Sequence, residues 1–191
     1  SAFVGGIRAL LVQTAHPEVV AGVEEHSRYR SDPLGRLTRT ATYVTQTTYG
    51  ALPEVDAAVN AVRRAHAPVR GTSPRGKAYA ADNPAMAAWV HNVLTDSFLV
   101  AYHAYGARPL TAAEADRFVA EQAGIGTLLG ASPLPAEAAS LSRWVVGHAA
   151  IAGSGAQRAS VDFLRNPPLP APVKLGYQLL LRAAVALSLI H

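Results

Sequence analysis

The chain has 191 residues, half of them hydrophobic and 16% charged, with a formal net charge of +4. That apolar share excludes a disordered polyelectrolyte and demands a large buried core, while the length suits one domain. The absence of cysteine excludes disulfides, zinc ribbons, iron–sulfur ligation, thiolate-ligated haem and c-type haem attachment.

The opening "SAFVGGIRALLVQ" lacks the charged start and cleavage site of a signal peptide. It reads as a fragment of a longer native chain. The expectation is one helical domain over 1–191, lacking part of its native flanks and cytoplasmic, with peripheral membrane association as the alternative. Basic residues are scattered, with no run of five like charges, so no nucleic-acid partner is expected.

Proline and glycine then punctuate a helical text. Pro17 opens "HPEVVAGVEEHSRYR", because a first turn tolerates the missing N–H. In "DPLGRLTRTATYVTQTTYG" Asp32 caps, Pro33 opens and Gly50 closes. "LPEVDAAVNAVRRAH" starts at Pro53. "DNPAMAAWVHNVLTDSFLVAYHAYG" has Asn83 as cap and Gly106 as stop. Thr111 and Glu114 form a capping box. Two further helices are expected over 136–152 and 173–190, joined by the stiff "NPPLPAP". No alternating run with hairpin turn signals stands out, so the chain reads as all-α, with about seven or eight helices. The last helix carries Lys174 and Arg182 and is too short and too charged for a typical span. It reads as a core or homo-oligomer interface helix, with membrane contact as the alternative.

Seven histidines are present, and none has glutamate three residues before it or another histidine four residues away. Ferritin-like and zincin-type sites are thereby excluded. A metal would need isolated histidines from different helices, or a cofactor that supplies most of its ligands, as a porphyrin does. No Gly-x-Ser-x-Gly occurs, and "GIGTLLG" is not followed by Gly-Lys-Ser/Thr, so neither a nucleophile elbow nor a phosphate loop is present.

His66 continues the stripe Val55, Val59, Val62, and Pro68 should end that helix, so the imidazole is expected to face inward near a helix end. This suits an iron ligand or a hydrogen-bonded core histidine. One helix earlier, Arg36, Arg39, Thr40, Tyr43 and Thr47 share a face. Such a stripe is either solvated or the polar wall of an anionic cofactor, whose carboxylates arginine grips bidentately. His91 shares a stripe with Leu94, Phe98 and Tyr105 and should also point inward; Asp96 and His103 could pair. His16 stands at a helix entrance and His26 at a helix end, either of them able to line a cavity.

Four stretches together resemble a known family: "GGIRALLVQTAHPEVVAGVEEHSRYRSDPLGRLTRT", "VRRAHAPVRG", "YAADNPAMAAWVHNVLTDS" and "GARPLTAAEADRFVAEQAGIGTLLG". They look like the catalytic domain shared by rubber oxygenases (latex clearing protein) and MpaB-type oxygenases, across roughly residues 5–145. The resemblance implies a globin-like helical protein binding haem b, which uses dioxygen to cleave carbon–carbon double bonds of isoprenoid chains. It implies that His66 is the proximal iron ligand and that Arg36 and Thr40 support the cofactor; His91, from its place on an inward stripe, is a further cofactor-binding candidate. Arg39 stands where the family carries a lysine that can cap the iron. Guanidinium has no lone pair to give, so the resemblance implies water or an open position there, and a catalytic hydrogen-bonding role for Arg39. The same departure leaves polyisoprene open as substrate. Glu24 and Glu25 are candidates for the family's catalytic carboxylate.

The reading is therefore a haem b oxygenase acting with O2 on an apolar, isoprenoid or lipid-like substrate. The alternatives are a non-catalytic haem carrier or sensor, and a cofactor-free helical interaction domain.

Overall fold

Proline at the first turn decides where four of the helices begin. The computed structural model describes residues 1–189. In chain order its helices are α1 (Ala2–Gln13), α2 (Pro17–His26), α3 (Pro33–Tyr49), α4 (Leu52–His66), α5 (Pro84–Tyr105), α6 (Ala112–Leu128), α7 (Ala138–Val146), α8 (Gly155–Arg165) and α9 (Ala171–Leu189). Pro17, Pro33, Pro53 and Pro84 sit in the first turns of α2, α3, α4 and α5. The caps fall as expected: Asp32 accepts from Gly35 N at 2.9 Å, Asn83 from Ala85 N at 3.0 Å, and Thr111 with Glu114 closes its box.

The all-α architecture stands, with nine helices among the described residues. Two details differ from the sequence reading. A small antiparallel hairpin, β1 (Arg70–Thr72) and β2 (Ala78–Ala80), pairs Gly71 with Tyr79. Strands of three residues are too short for alternation to register, and the turn rests on Gly76, whose φ of 73° suits glycine. The helix expected over 136–152 ends at Val146, where Gly147 caps it, and the separate α8 follows, started by Ser154 accepting from Gln157 N at 3.0 Å. Of the helix expected over 173–190, the last residue lies outside the described residues.

Two apolar clusters carry the core. In one, α5 contributes Trp89, Val93 and Leu99, meeting Ala9 of α1, Ala115 and Val119 of α6, and Leu141 and Val145 of α7. In the other, Val4 and Ile7 of α1 and Ala101 of α5 meet Leu181, Ala184 and Leu187 of α9. Burying each large side chain contributes about 1.5–3 kcal/mol. The outward side of α9 leaves Val173, Leu175 and Leu179 exposed. No helix among the described residues is long and apolar enough to cross a membrane.

Asp96 does not pair with His103. It accepts from Arg8 of α1 at 2.7 Å, with Ser97 taking the same nitrogen at 2.8 Å, while His103 is exposed. Both partners of this pair are almost fully buried, so the interhelical packing of α1 on α5 brings together charges that one helix alone keeps apart.

Candidate functional site

The residues of interest converge on the α3–α4 hairpin, whose short link Gly50–Ala51 folds the two helices back on each other. At 100° per residue, Arg36, Thr40, Tyr43 and Thr47 fall within an arc of about 60° on α3, with Arg39 at its edge. Leu37, Ala41 and Thr45 lie on the opposite side, where with Phe3 they line an open cleft of about 440 Å³. α3 buries none of its residues fully, and its principal packing partner is α4.

On α4 the expected stripe buries Val55 and Val59 and half-buries Val62. His66, the last residue of the helix, is exposed rather than turned inward as its place on the stripe predicts, because the stripe runs past the packing that covers its start. Its ring is still crowded. Desolvation first, then the positive charge of Arg36, lowers its pKa below the ordinary 6.5, with Asp82 opposing. The imidazole is therefore neutral at pH 7, the state with a lone pair available to a metal.

Arg36 is half-buried, and its guanidinium donates to the Ser27 hydroxyl at the end of α2 and lies 6.0 Å from the centre of the Tyr29 ring. Burial lowers its pKa, though guanidinium stays charged. Thr40 donates to the Arg36 carbonyl at 3.1 Å and is exposed. Arg39 turns back to Asp32 at 3.3 Å, at an edge where its side chain is 64% exposed. Tyr43, between Thr40 and Thr47 on the stripe, has a buried hydroxyl without a hydrogen-bond partner, and burial pushes its pKa up to about 12.

His91 belongs to a different part of the molecule. Its ring is packed between α5 and α6, touching the backbone of Gly126 so closely that a Cβ there would lie 2.9 Å from Cδ2 and 3.0 Å from Nε2. Burial lowers its pKa against a hydrogen bond to the Gln122 backbone, and Nε2 has no partner.

Both candidate carboxylates are engaged. Glu24 accepts from Ser160 of α8 at 2.6 Å, from Tyr29, and from Nε and Nη2 of Arg30. Burial acts to raise its pKa, but these bonds outweigh it and hold the carboxyl below the usual range. Glu25 accepts from Tyr79, whose hydroxyl also lies 3.2 Å from His26 Nε2. Glu24 thus ties α2 to α8, and Glu25 ties α2 to the β1–β2 hairpin. Sequence reading passed over Ser27, which accepts from Arg36, and Asp82, whose charge acts on His66 while its carboxylate accepts from Arg70 at 2.6 Å. Ser27 carried no signal, and Asp82 reads as part of a cap.

Among the described residues no group of three or more His, Cys, Asp or Glu is placed to hold a metal ion. The donor set at the α3–α4 hairpin is one neutral imidazole, one half-buried guanidinium and one orphaned hydroxyl. That set fits an anionic cofactor that carries its own metal and needs one axial nitrogen.

These features define an all-α protein with its candidate site at the mouth of a helical hairpin. The family model described as "ER-bound oxygenase mpaB/B'/Rubber oxygenase, catalytic domain" matches residues 1–188, and the chain belongs to that family of oxygenase domains. No curated protein and no solved structure gives a significant match to the chain.

Proposed function

We propose that this protein is a haem b-dependent oxygenase that uses O2 to oxidise or cleave carbon–carbon double bonds of an apolar, isoprenoid or lipid-like substrate. The observation that carries this reading is the neutral imidazole of His66, beside Arg36, in a chain of an oxygenase family. His66 is the group to ligate iron through its lone pair. Arg36 is the group to engage a propionate, since its charge is held by Ser27 without a competing carboxylate at hydrogen-bond distance. Thr40 lies one turn further along the same face of α3 and would support the cofactor from there.

Haem would supply the redox chemistry that dioxygen insertion requires. The protein's part is to orient that group and to place a fixed positive charge nearby. For Arg39 to offer hydrogen bonds on the reacting side, its exposed link to Asp32 must be exchanged; such a surface pair costs at most about 1 kcal/mol to release. We assign no direct cofactor contact to His91, whose ring is already packed against Gly126.

The test is haem uptake followed by the Soret band in wild type, His66→Ala and Arg36→Ala. The proposal expects wild type to bind haem, His66→Ala to lose the axial signature, and Arg36→Ala to bind more weakly. Equal weak uptake by wild type and His66→Ala removes the ligand assignment. A normal spectrum with no oxygen-dependent product from a panel of alkenes and terpenoids would leave a haem carrier or sensor.

A further inference from the structure

Away from the α3–α4 hairpin, two histidines distant in sequence meet in an aromatic cluster. His16 at the start of α2 and His148 just after α7 have ring centroids 5.7 Å apart. Trp89 of α5 lies 5.8 Å from His16 and 4.8 Å from His148, and Trp144 of α7 lies 4.6 Å from His148. His16 is 6% exposed.

Each imidazole uses the same atom in the same way. Nδ1 of His16 accepts from the Val19 N–H at 3.4 Å, capping α2. Nδ1 of His148 accepts from the Ala150 N–H at 3.3 Å, shaping the turn after α7. An imidazole nitrogen that accepts carries no proton, so both rings are held neutral with hydrogen on Nε2. Protonating Nδ1 removes the acceptor, and a second charge then meets the first across a packed ring pair.

The surrounding charges are few. Glu18 of α2 places an oxygen 3.4 Å from His16 Nδ1, the same nitrogen that serves as cap. Arg75, in the turn of the β1–β2 hairpin, reaches the other oxygen of Glu18 at 3.9 Å, and Ser73 lies 3.3 Å from it. Glu18 therefore offers a protonated His16 a new partner, which makes the cap and the ion pair mutually exclusive. Arg75 and His148 oppose that exchange, and Trp89 and Trp144 bring no ionisable group.

We propose that His16 and His148 form an acid-released latch holding the α7–α8 connection, residues 147–154, onto the start of α2. When closed, the two neutral rings pack on Trp89 and Trp144, and the Ala152 N–H donates to the Ala15 carbonyl at 3.0 Å. When opened by protonation, His16 exchanges its cap for Glu18, His148 leaves the pair, and 147–154 detaches from α1 and α2. Burial lowers the pKa of both rings. Folded, the latch therefore resists protons that the free imidazoles accept. It is fully closed above pH 6.5 and loses strength as the pH falls below that value, by roughly tenfold per pH unit for each ring charged only when open.

The chain has two tryptophans, and both lie in this cluster, so intrinsic fluorescence reports on it. The experiment follows tryptophan emission, far-UV circular dichroism and amide exchange from pH 8 to pH 5 in wild type and in the double variant His16→Asn with His148→Asn. Asparagine keeps an acceptor near the Nδ1 position and does not titrate. The latch expects an emission change below pH 6.5 in wild type with helical ellipticity intact. Protection at Ala150 and Ala152, corrected for the intrinsic exchange rate, should fall by about tenfold or more. The double variant should show neither effect. The proposal is overturned by any of four results: a flat wild-type profile, the same transition in the double variant, simultaneous loss of helix, or an emission change that leaves both amides protected.

Discussion

The guanidinium of Arg36 lies close enough to His66 for its positive charge to oppose protonation of that imidazole. The two residues come from different helices, and only the turn at Gly50–Ala51 brings them together. The arrangement keeps a nitrogen lone pair free at neutral pH beside a cation able to hold an acid group.

The charge arrangement fixes a pH dependence. In the ligand-free protein, the His66 ring should titrate below 6.5, as followed by its NMR signals. Arg36→Met removes the repelling charge and should raise the midpoint; Asp82→Asn removes the attracting one and should lower it further. Because the folded pKa is depressed, the neutral ring is favoured above pH 6.5, and this contribution to stability declines as the pH falls. A midpoint unmoved by Arg36→Met would show that the two groups do not sense each other.

Tyr43 predicts a gain of stability from loss of a group. Its buried hydroxyl has no partner, so the ligand-free fold carries a desolvation cost without a compensating bond. Tyr43→Phe should raise the unfolding free energy of the ligand-free protein by about 1 kcal/mol, read from urea denaturation. A loss of similar size would mean that the hydroxyl is bonded after all.

Gly126 should tolerate no side chain. A Cβ would come within 2.8 Å of Leu134 Cδ2 and 2.9 Å of His91 Cδ2. Gly126→Ala should therefore lower the melting temperature, at a cost of roughly 1–3 kcal/mol from overpacking, despite alanine's better helix propensity. Unchanged or raised stability would show that His91 is free to move. The same variant with His91→Ala should recover part of the loss, because the ring's share of the clash disappears while Leu134 Cδ2 remains.

Particular residues show where sequence sufficed. Pro17, Pro33, Pro53 and Pro84, with caps at Asp32, Asn83 and Thr111, set helix starts through local hydrogen bonding and fixed φ, so they were legible in order. The stripe on α3 was equally legible, since helical period alone puts Arg36 and Thr40 on one side. Contacts between elements were not. Asp96 could be paired on paper with His103 because they share a helix, whereas the fold gives it Arg8 from another.

The amino-acid order by itself settled an all-helical chain, the absence of any thiol chemistry, the family likeness and the placing of His66 at a helix end, because each depends on neighbours a few bonds away. Only the tertiary structure decided that Arg36 acts on His66, that Glu24 is spent on Ser160, and that His16 meets His148. Those relations arise when separate helices pack, and no local rule carries the distance between them. One exposed imidazole at the end of α4, beside the half-buried guanidinium of Arg36, is what the functional account stands on, and a colourless, iron-free protein after loading would end it.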